Sequence, residues 1–194
     1  MAKILRPPGR LEIILKESAA LFRDKGYGAT SMNDIAEAVG IRAASLYNHI
    51  TSKQQLLSAL LMPIAEKFTA GMAEICAADL SPISRIERLV ALHVRLTVAH
   101  PGPIALITGE WVHLEEPDRS TFLGQRNTYE KHFLEIIEAC IAGGAFSPID
   151  SRVALFSMLS TLHALHSWWR KHPGDPAVLE SQMVHCLVEG LRQK

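Results

Sequence analysis

Apolar residues recur at three- and four-residue spacing along almost the whole chain, which is the period of amphipathic helices, and no stretch alternates as a half-buried strand does. Leu11, Ile14, Leu15, Ser18, Ala19 and Phe22 share one face of a helix predicted from about Arg10 to Lys25, stopped by Gly26. Two short helices follow, near 32–39 and 43–50. A longer one starts at Ser52, whose hydroxyl caps it, and runs to about Ala77; Pro63 inside it predicts a kink or a break. Ser81-Pro82 opens the next helix, which Pro101-Gly102-Pro103 ends. A short helix near 103–114, a long one over 118–142, another from the cap Asp150 to about Lys171 and a last one over 176–192 complete an all-α pattern.

The most informative stretch is Thr30 to Leu57, TSMNDIAEAVGIRAASLYNHITSKQQLL. Thr30 or Ser31 caps its first helix, and Ile35, Ala36 and Val39 form the buried stripe. Gly40 stands where the turn between two helices needs a positive φ, and Ile41 plugs that turn into the core. The next helix buries Leu46 and shows Arg42, Ala44, Ser45, Tyr47, Asn48 and His49, all small or polar except the amphipathic tyrosine. A helix of that kind suits a DNA major groove about 12 Å wide. Asp34 and Glu37 read as a solvated face.

This segment resembles the DNA-binding region of the TetR family of bacterial regulators. The likeness is carried by Thr30-Ser31, Ile35-Ala36, Gly40-Ile41, Leu46-Tyr47, His49, Ser52-Lys53 and Leu56, and upstream by Phe22-Arg23-Asp24-Lys25-Gly26-Tyr27. Three positions depart from the family pattern. Arg42 replaces the usual Ser or Thr cap, Ile50 the usual Phe, and Gln54 the usual acid. Arg42 leaves two options open, a phosphate or a guanine edge. The resemblance implies that Thr30, Tyr47, His49 and Lys53 contact phosphates beside the cap Ser31, while Arg42, Ala44, Ser45 and Asn48 face bases. It also implies the organisation: a flexible basic arm over 1–9, a three-helix helix-turn-helix domain over 10–56, and a C-terminal helical ligand-binding and dimerisation domain over 57–194.

Charge refines this picture. Lys plus Arg equals Asp plus Glu, 20 each, yet residues 1–56 carry eight basic against five acidic residues, so a basic head faces an acidic body. Cys76, Cys140 and Cys186 lie in apolar helical patterns without a CxxC, as reduced core residues of a cytoplasmic protein do. No signal peptide and no run of about 18 apolar residues is apparent, so no membrane partner is expected. No nucleophile elbow, phosphate loop or HExxH marks an enzyme, and no cofactor is implied.

Beyond residue 57 the signal is looser. Ile136–Phe146, Pro148-Ile149-Asp150, Trp168-Trp169-Arg170 and Glu189-Gly190-Leu191 are similar to TetR-family repressors of fatty-acid and sterol-ring catabolism, which implies an acyl-CoA effector. His93, Trp111, His113, Phe122, Arg126, Tyr129, Phe133, His163 and Trp168, with His132 and His166, are the candidates for an apolar pocket with a few polar groups; each reads equally as core. His163 and His166 lack a third ligand at metal spacing, so no metal site is assigned. Val153, Phe156, Leu159, Leu162 and His163, and Val178, Met183, Cys186, Leu187 and Leu191, make apolar stripes too broad for one core and predict a homodimer through the last two helices. The partners expected are thus palindromic operator DNA, a second copy of the chain and a small-molecule effector. The competing readings are a helical interaction protein that has lost DNA binding, and a repressor responding to an unrelated apolar molecule.

Overall fold

The computed structural model of the chain describes residues 9–193. Among them run nine helices: α1 (Arg10–Lys25), α2 (Met32–Val39), α3 (Ala43–Tyr47), α4 (Lys53–Ala77), α5 (Pro82–Ala99), α6 (Pro101–Ile107), α7 (Asp118–Ala142), α8 (Ser151–Lys171) and α9 (Pro176–Glu189). A 3-10 turn, Glu110–His113, lies between α6 and α7. The arm read at 1–9 falls outside the described residues apart from Gly9.

Local chemistry sets most boundaries. The α1 C-terminus closes with the Gly26 N–H donating to the Phe22 carbonyl at 3.0 Å. At α2, Ser31 and Asp34 form a reciprocal capping box: the Asp34 N–H donates to Ser31 Oγ at 3.1 Å and the Ser31 N–H donates to Asp34 Oδ2 at 2.7 Å. Asp34 also accepts from Lys25 Nζ at 2.8 Å. Lys25 first, then Ser31, holds the Asp34 carboxyl well below the usual carboxylate range. Asp34 is therefore a fastener between α1 and α2 rather than the solvated residue its pattern suggests. Gly40 adopts φ 70°, as the turn into α3 requires.

Two expectations change and one narrows. The helix α4 runs continuously through Pro63, whose ring is exposed, so of a kink or a break the break is excluded. Pro101-Gly102-Pro103 does not merely end α5: it forms the first turn of α6, which leaves α5 at a bend of 116°. Cys186 is exposed, whereas Cys140 is buried and Cys76 half-buried.

The core has two main clusters. Ile14, Phe22, Ile35 and Leu46 pack on Leu56, Leu57 and Leu61 of α4, and the same cluster takes in Leu106, Leu114 and Phe122 from the body. Farther along, Met72 and Ile75 of α4 join Ile86, Leu89, Phe133, Ile137, Met158, Leu162 and Val188. Gly71 lets Leu92 of α5 lie against α4; a Cβ there would come within 2.5 Å of a Leu92 methyl. By length and composition α4 is apolar enough to cross a bilayer, although polar residues interrupt its apolar run. Here α4 serves as the shared spine of both clusters.

On α8, Leu159 and Leu162 turn inward, so they do not belong to an outward stripe. The exposed large apolar side chains of the last two helices are Val153, Phe156, Trp168 and Val178, with Phe156 71% exposed. The α7–α8 loop is tied to the chain end: Phe146 is fully buried and the Ser147 N–H donates to the Leu191 carbonyl at 2.8 Å.

Candidate nucleic-acid interface and ligand cleft

Leu46 anchors α3 by complete burial and leaves the rest of its surface outward. Arg42, Ala44, Ser45, Tyr47 and Asn48 are exposed together, and His49 is half-buried beside them. Arg42 provides no side-chain cap; the Ser45 N–H instead donates to the Arg42 carbonyl at 2.8 Å. The Arg42 guanidinium is thus not engaged in capping the start of its own helix. Ser31 is exposed at the α2 N-terminus.

Two residues assigned to phosphates sit differently. Thr30 is 1% exposed, and its hydroxyl donates to the Gly26 carbonyl at 2.9 Å. Lys53 points its ammonium at the α1–α2 turn, donating to the carbonyls of Tyr27 at 2.8 Å and Thr30 at 2.9 Å, and stands 4.3 Å above the Tyr27 ring. Both hold the turn that positions α2 and α3.

In the body, α4, α5, α6, α7 and α8 with the 3-10 turn enclose a cleft of about 860 Å³, its open mouth included. Its apolar wall includes Phe68, Ile104, Ile107, Trp111, Phe122 and Leu162. His93, Trp111, Phe122, Arg126, Tyr129 and His163 of the sequence candidates line it together. Phe133 lies behind Tyr129 with its ring fully buried, edge-on at 6.2 Å. Trp168 is exposed on α8 beside His172, and His113 faces the other way, toward the head. These three fall outside the cleft.

At the inner end, His93 Nε2 and Tyr129 Oη share a 2.8 Å hydrogen bond. Burial, reinforced by nearby His163, pushes His93 down to about 3, and burial pushes Tyr129 up, so both are neutral at pH 7. Toward the mouth the Arg126 guanidinium lies 4.6 Å above the Trp111 ring. His166 Nδ1 contacts the His163 carbonyl at 2.7 Å. Sequence reasoning missed Gln125, Thr97, Thr69 and Glu130, which also line the cleft. The spacing of Phe122, Gln125, Arg126 and Tyr129 on one helical stripe was the available signal for Gln125.

The cleft and the three-helix head meet at the 3-10 turn. Trp111 walls the cleft, and two residues on, His113 stacks against Tyr27. Gln54, at the start of α4, donates through its amide to the His113 carbonyl and accepts from the Glu115 N–H at 3.3 Å. Ser58 donates to Asp118 beside it.

Residues 14–60 match the family of bacterial regulatory proteins, tetR family. Residues 79–191, more than half the chain, match the tetracyclin repressor-like C-terminal domain. The chain is 29% identical over 188 residues to the HTH-type transcriptional repressor KstR2 of Rhodococcus jostii, covering 94% of this chain and 91% of that one. The structure of the ketosteroid transcriptional regulator KstR2 of Mycobacterium tuberculosis superposes with a TM-score of 0.86 at 22% identity, over 97% of this chain and 98% of that one. The structure of AibR in complex with isovaleryl coenzyme A and operator DNA superposes with a TM-score of 0.74 at 25% identity, over 92% and 98%. An exposed reading helix in an N-terminal helix-turn-helix, a body cleft joined to it and these two matches together show that the chain belongs to the TetR family of bacterial regulatory proteins and is a DNA-binding transcriptional regulator.

Proposed function

We propose that this regulator is a cytoplasmic repressor that grips a palindromic operator as a homodimer and releases it when an acyl-CoA thioester fills the cleft. One observation carries the reading: a single 3-10 turn supplies Trp111 to the cleft wall and His113 to the head. Residues 10–56 form the DNA-binding unit, 57–194 the effector and dimer unit, and 1–9 the arm. Arg42, Ala44, Ser45 and Asn48 face bases, with Tyr47 and His49 on phosphates. Thr30 and Lys53 act by holding the turn beneath them. The outward faces of α8 and α9, with Val153, Phe156 and Val178, meet their copies across a two-fold axis. The relatives named as repressors, and a neighbour solved with a CoA thioester and operator DNA, support the same reading.

The acyl chain packs against Phe68, Ile104, Ile107 and Leu162. Arg126 stands at the mouth for the anionic part. A dimer holds two half-sites only while its reading helices stand about 34–36 Å apart. A ligand that binds a wider arrangement better, by about 1–3 kcal/mol, draws the population off DNA. The continuous α4 spine transmits the change along with the 3-10 turn. A gel shift on the native upstream region, titrated with acyl-CoAs, free CoA and free acids, tests the proposal. Release by thioesters alone supports it; release only by an unrelated apolar compound, with every thioester inert, overturns it.

A further inference from the structure

Lys53 and Gln54, consecutive residues in the first turn of α4, hold two different turns of the molecule. Lys53 donates to the carbonyls of Tyr27 and Thr30 in the three-helix head. Gln54 holds the end of the 3-10 turn. Its amide N–H donates to the His113 carbonyl, and its amide oxygen accepts from the Glu115 N–H at 3.3 Å. These partners fix the orientation of the amide, since a carbonyl only accepts and a backbone N–H only donates. Leu114, between them, is buried. One turn along α4, Ser58 donates to Asp118, the first residue of α7.

Gln54 is one of the three positions where the chain departs from the TetR pattern, which has an acid there. An acid in the first turn favours a helix N-terminus. Here it would face residues 110–118, EWVHLEEPD, which hold four acids and no Lys or Arg. A carboxylate accepts only, so it would keep the Glu115 N–H and set an oxygen against the His113 carbonyl. An amide serves both. The chain thus forgoes a charge at the helix end and gains a two-point clamp on the turn. That turn carries Trp111, which walls the cleft and stacks on Phe122 with centroids 6.1 Å apart.

We infer that Gln54 is a positioning residue that couples the head to the cleft wall: through its two bonds a displacement of the head on operator DNA is carried to Trp111, and a displacement of Trp111 is carried back to the head. Coupling between two sites is reciprocal, so it is readable from the DNA side without an effector. The inference rests on the 3-10 turn linking head and cleft, and not on a thioester being the effector.

Fluorine NMR of the full chain labelled with 5-fluorotryptophan tests it. The chain has three tryptophans, and the resonance lost in Trp111→Phe is the one from the cleft wall. Saturation with a duplex of the native upstream region is expected to shift that resonance in the wild type. In Gln54→Glu, which brings back the acid of the family pattern, the shift is expected to fall below half while DNA stays bound. Gln54→Met removes both bonds without adding a charge and is expected to lose the shift equally. Saturation sets aside any change in operator affinity. A full shift in either folded variant overturns the inference, as does a folded variant that no duplex concentration saturates. If Gln54→Met loses its helical circular dichroism, Gln54→Glu decides alone. A wild-type Trp111 resonance that ignores the duplex overturns the inference together with the 3-10 turn as the link. Decanoyl-CoA separates the effector reading. Loss of the shift in the variants, with decanoyl-CoA leaving the operator complex intact, upholds the inference and sinks the thioester. Release by decanoyl-CoA with a full shift in the variants does the reverse.

Discussion

The imidazole of His113 stacks on the ring of Tyr27 with centroids 5.0 Å apart and planes 23° apart, joining the turn that walls the cleft to the turn that carries the helix-turn-helix. His113→Ala removes the stack while leaving Trp111 in the cleft. Operator affinity is expected to stay within about threefold, while the dose of decanoyl-CoA needed for half-release rises several-fold, in the range of about 0.5–2 kcal/mol of coupling. Gel shifts with and without effector measure both quantities. Unchanged release would sink the coupling role of this contact.

Lys53 donates to two backbone carbonyls, which calls for a test beyond DNA affinity. Lys53→Ala is expected to cost about 1–3 kcal/mol in chemical denaturation, in the range of charge-assisted hydrogen bonds. Because α2 and α3 lose their brace, binding should weaken by a similar factor on operator and random DNA. A variant of wild-type stability that loses only DNA affinity would instead mark Lys53 as a direct phosphate contact.

Arg42 and Asn48 are exposed at the two ends of α3. Substituting either by Ala should change the order of preference among single-base operator variants, by about 1–3 kcal/mol at the position read. Uniform weakening across all variants, with a salt dependence reduced by about one unit of slope, would reassign that residue to a phosphate.

Among the described residues Phe156 is the most exposed of the large apolar side chains, at 71%. Phe156→Asp places a charge on the outward face of α8 without touching the buried Leu159 and Leu162. Analytical ultracentrifugation should show a dimer for the wild type and a shift toward monomer for the variant at micromolar concentration, with unchanged helical content. A wild-type monomer would remove α8 and α9 as the pairing surface.

His93 is buried and held near 3, far below an ordinary histidine at about 6.5. Between these values the unfolded chain binds a proton that the folded chain refuses. Stability is therefore full above about pH 6.5 and falls as the pH drops toward 3. From pH 6.5 to 5 the loss from this group is about 2 kcal/mol. His100 and His163, held low chiefly by desolvation, add in the same direction. Urea denaturation of wild type and His93→Gln at pH 7 and pH 5 measures the difference. The variant should show the smaller pH dependence, and equal slopes would mean that His93 is protonated in the folded state.

The sequence alone determined what local rules govern. The bounds of α1, the Ser52 and Asp150 caps, the positive φ of Gly40 and the buried stripe of Ile35, Ala36 and Leu46 follow from neighbours within a turn or two. The helix-turn-helix was legible for the same reason: its fixed spacings lie within one continuous segment. Packing across long separations decided the rest. Thr30 and Lys53 look like surface groups in the chain, but the α1–α2 turn draws both toward its carbonyls. His113 and Trp111 share a four-residue turn yet face the head and the cleft respectively, because the turn is wedged between α4 and α7. Leu159 and Leu162 of the α8 stripe proved to be core, since they meet the other body helices, whereas Val153 and Phe156 stay exposed.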